Sequence, residues 1–200
     1  MAHTQVRRPA FVPEVQLHLA DDIDVLWRTV GIDTPPPYWG FAWLGGQAVA
    51  RYVLDHPEQV AGLRVLDLAT GSGLVALAAV AAGAAEVTAA DIDPYSAAAV
   101  ALNARLNGAT VRFVADDLLM AEPPAVDVVL VGDVCYEQEM ARRMLSWLAR
   151  TEARVLLGDP GRSYLPQGGL VTLASYEIPT TRSLEGVQVK RVRVFSPAAR

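Results

Sequence analysis

The sequence contains a single cysteine, Cys135, and three histidines that show no paired spacing. One cysteine excludes an intramolecular disulfide and any zinc or iron–sulfur site built from several cysteines. Histidines without a partner at ligand spacing argue against a histidine metal centre. We therefore expect no metal ion, and we interpret Cys135 as a small buried hydrophobic residue.

Basic residues and long apolar runs are also scarce. There are 17 Lys and Arg against 22 Asp and Glu, a net charge of −5, which disfavours a general binder of nucleic acid. The longest largely apolar stretch, Leu74 to Ala85, is too short to cross a membrane. The start, with Arg7, Arg8 and Pro9, lacks the apolar core of a secretory signal. We expect a cytoplasmic protein without nucleic-acid or membrane partners.

Hydrophobic residues, at 52% of 200, are plentiful enough for a substantial core. From residue 63, short apolar runs alternate with helical segments of about ten residues. The predicted strands are Leu63–Leu68, Glu86–Ala90, Thr110–Ala115, Asp127–Val131 and Ala153–Leu157, and the helices are 46–55, Leu74–Ala82, Pro94–Asn107 and Met140–Arg150. This alternation predicts an α/β fold with a doubly wound, mostly parallel seven-stranded sheet.

The two ends of the chain differ from this regular middle. Residues 1–45 form a lead-in with an aromatic cluster at Tyr38, Trp39, Phe41 and Trp43. The strand-like runs within 168–196 have no helix between them and predict an antiparallel hairpin at one edge of the sheet. Without repeats or linkers, we expect one domain over residues 1–200, with its cofactor-binding core at 63–160.

A glycine-rich turn, Asp67-Leu-Ala-Thr-Gly-Ser-Gly73, connects the first of these strands to a helix. Gly71 and Gly73 allow backbone N–H groups to approach a ligand closely, and the loose dinucleotide pattern admits a nicotinamide enzyme as an alternative. Asp67, however, is expected to project a carboxylate into the ligand crevice. It would repel a pyrophosphate and attract a cationic ligand such as S-adenosylmethionine.

Other carboxylates follow the next two predicted strands. Asp91 stands where a carboxylate commonly binds ribose hydroxyls. Asp116 and Asp117 end the third strand, where one of them could accept from an adenine amino group or, alternatively, cap a helix.

These motifs resemble the cofactor motifs of seven-strand S-adenosylmethionine-dependent methyltransferases. The segments 37–47, Gly132-Asp-Val-Cys-Tyr-Glu137 and 158–162 resemble the lysine methyltransferases of the electron transfer flavoprotein beta subunit. Ala69 departs from the broader superfamily, which has glycine there, and we expect it to reduce cofactor affinity slightly.

The resemblance implies roles for particular residues. Asp133 and Tyr136 are expected to line the acceptor slot, with Glu137 as a partner, although this segment could simply begin a helix. Trp39 and Trp43 are either an aromatic wall over the site or core packing, Gln47 is either a cofactor contact or helix surface, and Arg162 is left outside the site. The expected cofactor contacts are Trp43, Asp67, Ala69, Gly71, Gly73, Asp91, Ile92, Asp116, Asp117 and Gly132.

The function implied is transfer of a methyl group to lysine side chains of a protein, with the electron transfer flavoprotein beta subunit as the expected partner. A small amine or another protein remains open as the acceptor. A nicotinamide-dependent oxidoreductase and a binding module without catalysis are the alternatives from other classes.

Overall fold

The computed structural model describes residues 3–180 and 185–198. The strands are β1 (Gln5–Arg7), β2 (Leu17–Leu19), β3 (Arg64–Leu68), β4 (Glu86–Ala90), β5 (Arg112–Val114), β6 (Val128–Gly132), β7 (Arg154–Asp159), β8 (Leu170–Pro179) and β9 (Val189–Pro197). The helices are α1 (Ile23–Val30), α2 (Leu44–Asp55), α3 (Leu74–Ala81), α4 (Pro94–Leu106) and α5 (Gln138–Leu148). None of the helices in these described residues has the length and hydrophobicity needed to cross a membrane.

Seven strands form one sheet in the order β5-β4-β3-β6-β7-β9-β8. The first five are parallel to one another, whereas β9 runs antiparallel to both β7 and β8. The doubly wound, mostly parallel sheet and its antiparallel C-terminal pair are thus confirmed. The chain starts at β3, moves outward to β5 and returns to β6, so the order reverses between β3 and β6, which is where such folds bind ligands.

Helices cover both faces of this sheet because its strands are apolar on both sides. In β3, Val65 packs with α2 and α3 on one face, and Leu66 packs with α5 on the other. The inward side of α5 carries Met144, Trp147 and Leu148, a spacing that places all three on one helical face. Trp147 is 1% exposed, and its Nε1 donates to the carbonyl of Ala121 at 3.1 Å.

The start of α2 lies directly against the ends of β6 and β7. A Cβ on Gly45 would overlap the carbonyl oxygen of Gly158 and lie 2.5 Å from the backbone nitrogen of Asp133. A Cβ on Gly132 would likewise lie 2.5 Å from the nitrogen of Gly46. Glycine is therefore required at this contact, which brings the helix N-terminus against the ligand-binding edge of the sheet.

The lead-in contains regular structure of its own. Strand β2 pairs antiparallel with β1, and Asp22 caps α1 by accepting from the N–H groups of Asp24 and Val25. Two asparagines, Asn103 in α4 and Asn107 directly after it, attach this region to the core. Asn103 accepts from the His18 N–H and donates to the Ser72 carbonyl, while Asn107 accepts from the Gln16 N–H.

Candidate active site

A cavity of about 510 Å³ opens at the carboxyl ends of β3, β4 and β6. Nine of the residues predicted for the site line it: Trp43, Asp67, Ala69, Gly71, Asp91, Ile92, Gly132, Asp133 and Tyr136. The remaining four, Gly73, Asp116, Asp117 and Glu137, are not among its lining residues. The structure therefore brings together residues from the strand ends and from the lead-in, which are far apart in sequence.

The turn after β3 adopts left-handed backbone conformations at three positions. Gly71 has φ +53° and Gly73 φ +82°, values that glycine adopts without a steric penalty. Ala69, with φ +58°, carries that penalty, which is about 1–2 kcal/mol for a residue with a Cβ. Gly73 is the N-cap residue of α3. It packs closely against α4, because a Cβ there would lie 3.1 Å from the Val100 side chain.

Asp67 corrects one expectation. Asp67 is among the residues that line the cavity, but its carboxylate is bonded inward to Thr70 and Ala76 and the residue is 1% exposed. Oδ2 accepts from Thr70 Oγ1 at 2.5 Å and from the Ala76 N–H at 2.9 Å. Burial raises the pKa of the Asp67 carboxyl to about 7 in spite of these two hydrogen bonds. Asp67 therefore holds the turn against the start of α3 instead of projecting a charge into the crevice.

Asp91 is one of the carboxylates that line the cavity. Its Oδ2 accepts from the Gly71 N–H at 2.8 Å, and its Oδ1 accepts from the Asp93 N–H at 2.9 Å. These bonds orient the carboxylate and leave further lone pairs on each oxygen, since an ionised carboxylate has about four acceptor sites. Capping of α4 falls to Asp93, which accepts from the Tyr95 N–H.

Asp116, Asp117 and Glu137 have other surroundings. Asp117 accepts from the Leu119 N–H and forms an ion pair with Arg143 at 2.6 Å, while Asp116 is exposed. Glu137 caps α5 by accepting from the N–H groups of Glu139 and Met140. For Glu137 the structure thus favours the helix-start interpretation, and neither Asp116 nor Asp117 reaches the described cavity.

Asp133 lies deeper in the cavity wall, 7% exposed and in a left-handed conformation with φ +59°. Both carboxylate oxygens are occupied. Oδ2 accepts from the Gly45 N–H at the start of α2, whose preceding residue provides no side-chain cap, and Oδ1 accepts from Arg162 Nε at 2.7 Å. Burial raises the pKa of Asp133 to about 6, although the Arg162 charge lowers it. A carboxylate held this way links the start of α2 to Arg162 and orients both.

Aromatic rings form the rest of this end of the cavity. The Tyr38 ring lies 5.5 Å from the Trp43 ring and 5.4 Å from the Tyr136 ring, and Tyr136 is 42% exposed at the rim. Burial raises the pKa of Tyr136 to about 12, so its hydroxyl stays protonated at neutral pH. We call Tyr38, Trp43 and Tyr136 the aromatic end of the cavity.

Trp39 lines the other part of the cavity and stacks on Tyr95 with ring centroids 5.7 Å apart. It is 5% exposed, and within residues 3–180 and 185–198 its buried Nε1 has no hydrogen-bond acceptor. A buried indole N–H normally has a partner, so Trp39 carries a donor that the described contacts leave unused.

Several features of the site were not identified from the sequence. Arg162, which the sequence pattern did not assign to the site, lines the cavity and binds Asp133. Its signal is weak: a single arginine after a Pro-Gly turn. For Tyr95 the sequence indicated only a helical position, whereas its ring stacks in the cavity. Gln47 is buried, donates to the Ala42 carbonyl at 2.7 Å and is not among the lining residues.

Comparison with known sequences places this geometry in context. Residues 49–133 match the family model described as ribosomal protein L11 methyltransferase. The chain is 35% identical over 201 residues to the electron transfer flavoprotein beta subunit lysine methyltransferase of Rattus norvegicus, covering 94% of this chain and 79% of the rat protein. The Xenopus laevis protein of the same name is 38% identical over 170 residues, covering 82% of this chain and 69% of its own length.

Solved structures show the same fold at lower identity. Ribosomal protein L11 methylase from Lactobacillus delbrueckii subsp. bulgaricus matches with a TM-score of 0.56 and 21% identity, over 80% of this chain and 81% of that one. Magnesium protoporphyrin IX methyltransferase from Synechocystis, solved with bound S-adenosylmethionine, matches with a TM-score of 0.57 and 18% identity, over 76% and 78% of the two chains.

Proposed function

This chain belongs to the family of electron transfer flavoprotein beta subunit lysine methyltransferases, and from that premise we propose that it methylates lysine side chains of that flavoprotein subunit. It is an S-adenosylmethionine-dependent methyltransferase. The observation that carries the substrate proposal is the 35% identity to the rat enzyme over 94% of this chain. The matched length spans the aromatic end of the cavity and Asp133.

The residues present fit the cofactor. Gly71 brings backbone to the cavity, Asp91 presents an oriented carboxylate suited to ribose hydroxyls, and Trp39 offers an unused N–H. The cofactor's sulfonium supplies an activated methyl group. The task left to the protein is to exclude water and align the acceptor with the breaking C–S bond, with the reacting atoms about 3 Å apart.

The acceptor must arrive as, or become, a neutral amine, because a free lysine has a pKa of about 10.4. The charge of Asp133 is already paired with Arg162, and its two oxygens accept from the Gly45 N–H and from Arg162 Nε, so Asp133 is engaged before an ammonium arrives. The aromatic end supports the proposal in a different way. Tyr38, Trp43 and Tyr136 offer π faces that attract an ammonium and pack on its methylene stem, and Tyr136 offers a hydroxyl at the rim.

Of the alternatives that the sequence left open, one is set aside and one remains. The nicotinamide enzyme is set aside by the methyltransferase family. A small amine or another protein as acceptor stays the alternative to the flavoprotein subunit. A partly exposed rim at Tyr136 favours a side chain that reaches in from a protein surface, because the cavity remains open there.

The test is methylation with purified components. The protein is incubated with labelled S-adenosylmethionine and the purified flavoprotein beta subunit, and modified residues are located by mass spectrometry. We expect label on lysine of the subunit. In parallel, the protein is incubated with a cell lysate, and label in a different protein or in small molecules, with none in the beta subunit, would contradict the substrate proposal.

A matched control separates cofactor binding from substrate choice. Calorimetry should show binding of S-adenosylmethionine and no heat from NAD. Asp91→Ala should reduce label in every acceptor alike at subsaturating cofactor, because Asp91 lines the part of the cavity proposed for the cofactor. Asp116→Ala, at an exposed residue that does not line the cavity, should label the subunit as the unmodified protein does.

A further inference from the structure

Arg162 is presented to the cavity by a turn that a buried carboxylate holds. The turn follows β7, and Gly161 within it has φ +86°. Asp159, which is fully buried, accepts through Oδ1 from the Gly161 N–H at 2.6 Å and from the Arg162 N–H at 2.7 Å. The direction in which the Arg162 side chain leaves the sheet is therefore set by the end of β7.

The guanidinium of Arg162 binds two carboxylates from different parts of the chain. Its Nε donates to Asp133 Oδ1 at 2.7 Å. Its Nη1 and Nη2 donate to the two oxygens of Glu185 at 3.0 and 2.6 Å, a bidentate arrangement. The side chains of Arg162, Asp133 and Glu185 are 22%, 7% and 3% exposed. Water and salt therefore screen these ion pairs little.

The three residues differ in their relation to the cavity. Asp133 and Arg162 line it, whereas Glu185 does not and lies between β8 and β9. Among the described ion pairs, Arg162 is the single basic partner of both Asp133 and Glu185. Glu185 accepts from both terminal nitrogens of the planar guanidinium. The position of Nε, which donates to Asp133, is therefore fixed as well.

We propose that Arg162 is a positioning residue of the methyl-transfer site, and that Glu185 fixes Arg162 so that the C-terminal strand pair controls the alignment of the acceptor slot. The proposal rests on the lysine acceptor proposed above, because the slot that Asp133 and Tyr136 are expected to line is where that lysine would enter. Breaking the hydrogen bonds that join Glu185, Arg162 and Asp133 should disturb the alignment of the acceptor amine. It should leave cofactor binding unchanged, because Asp91 and the glycine turn are separate from it.

The test uses Glu185→Gln, which keeps the shape of the side chain and removes its charge. The matched control is Glu177→Gln on β8, where the carboxylate is 72% exposed and 3.8 Å from Arg191. We expect Glu185→Gln to lower kcat between about threefold and a hundredfold, since small misalignments are that costly to in-line transfer. The Kd for S-adenosylmethionine should stay within about twofold of the unmodified protein, as should every parameter of Glu177→Gln.

A double-mutant cycle distinguishes this chain of contacts from general loosening of the fold. Glu185→Gln is combined with Asp133→Asn, and its effect on kcat should shrink to within about twofold in that background, because the contact it works through is already altered. Arg162→Lys keeps the charge but cannot bind both carboxylates through a fork, so it should show the same loss in kcat with an unchanged Kd. If Glu185→Gln does not fold, Arg162→Lys alone decides the question.

Three results would overturn the inference: equal kcat for Glu185→Gln and Glu177→Gln, a loss confined to cofactor affinity, or independent effects in the cycle. The ratios are measured with the acceptor that the unmodified protein labels. An unlabelled flavoprotein subunit would therefore contradict the proposed substrate, while the ratios would still report on the role of Arg162.

Discussion

The carboxylate of Asp91 accepts a hydrogen bond from the backbone N–H of Gly71 at 2.8 Å. The end of β4 is thereby joined to the glycine turn after β3, across 20 residues of sequence. Both residues line the same cavity, so the bond fixes the relative position of two elements that the cofactor is expected to contact. The first prediction follows from this pair.

Asp91→Ala should weaken S-adenosylmethionine binding about ten- to a hundredfold. If Asp91 accepts from the ribose hydroxyls, the variant removes charge-assisted hydrogen bonds that together contribute about 1.5–3 kcal/mol, and it releases the Gly71 N–H from its partner. Calorimetry on the folded variant measures the effect. An unchanged Kd would restrict Asp91 to holding the turn.

Asp133→Asn and Tyr136→Phe should both slow methyl transfer while leaving cofactor affinity nearly intact. Asn at position 133 presents an NH₂ group to one of two donors, Gly45 N–H or Arg162 Nε–H, and so loses a hydrogen bond at the acceptor end. Tyr136→Phe removes only the rim hydroxyl and keeps the ring. Single-turnover rates at saturating cofactor are the measurement, and rates equal to the unmodified protein would remove both residues from the acceptor slot.

Gly45→Ala and Gly46→Ala should have opposite effects on stability, although both are in α2. A Cβ at position 45 collides with backbone of β6 and β7, and we expect a loss of about 3 kcal/mol or more in the free energy of unfolding. At position 46 the nearest atom to a Cβ is Val75 Cγ2, at an ordinary 3.6 Å. There the better helix propensity of alanine should contribute about 0.5–1 kcal/mol. Urea denaturation compares them, and similar values would contradict the close contact.

Asp67→Asn should become more stabilising as pH rises. The pKa of Asp67 is raised from 3.8 to about 7 in the folded state, so the folded protein binds the extra proton between these values. Its contribution to stability is therefore present below about pH 4 and is lost as pH rises to about 7, with a slope of up to about 1.4 kcal/mol per pH unit. Asparagine does not titrate and can still accept from the Thr70 hydroxyl and the Ala76 N–H through its oxygen.

Asp127 is the control for this prediction, because its pKa is shifted in the opposite direction. Arg64 lowers the pKa of the Asp127 carboxyl to about 2, so that carboxylate stabilises the fold above its usual pKa and the effect is lost as pH falls towards 2. Asp127→Asn should therefore be destabilising near neutral pH and neutral at low pH. Urea denaturation of both variants at several pH values, without cofactor, is the measurement. A difference for Asp67→Asn that does not change with pH would show that folding leaves the pKa of Asp67 unshifted.

The sequence by itself determined the alternation of strands and helices, the place of the glycine turn and the caps at Asp22 and Asp93, because these depend on residues within a few positions of one another. Its prediction for the acceptor segment also put Asp133 and Tyr136 at the cavity, since residues that end a parallel strand lie at its ligand edge.

Only the tertiary structure decided which carboxylates face the cavity and what neutralises them. Asp133 is held by Gly45, 88 residues away, and by Arg162, 29 residues away, while Asp67 is turned inward by the start of α3. No local pattern encodes these partners, because the direction of a side chain at a strand end depends on which helix packs over it. A buried carboxylate must find donors wherever the fold provides them, and those donors lie on elements brought together by the sheet.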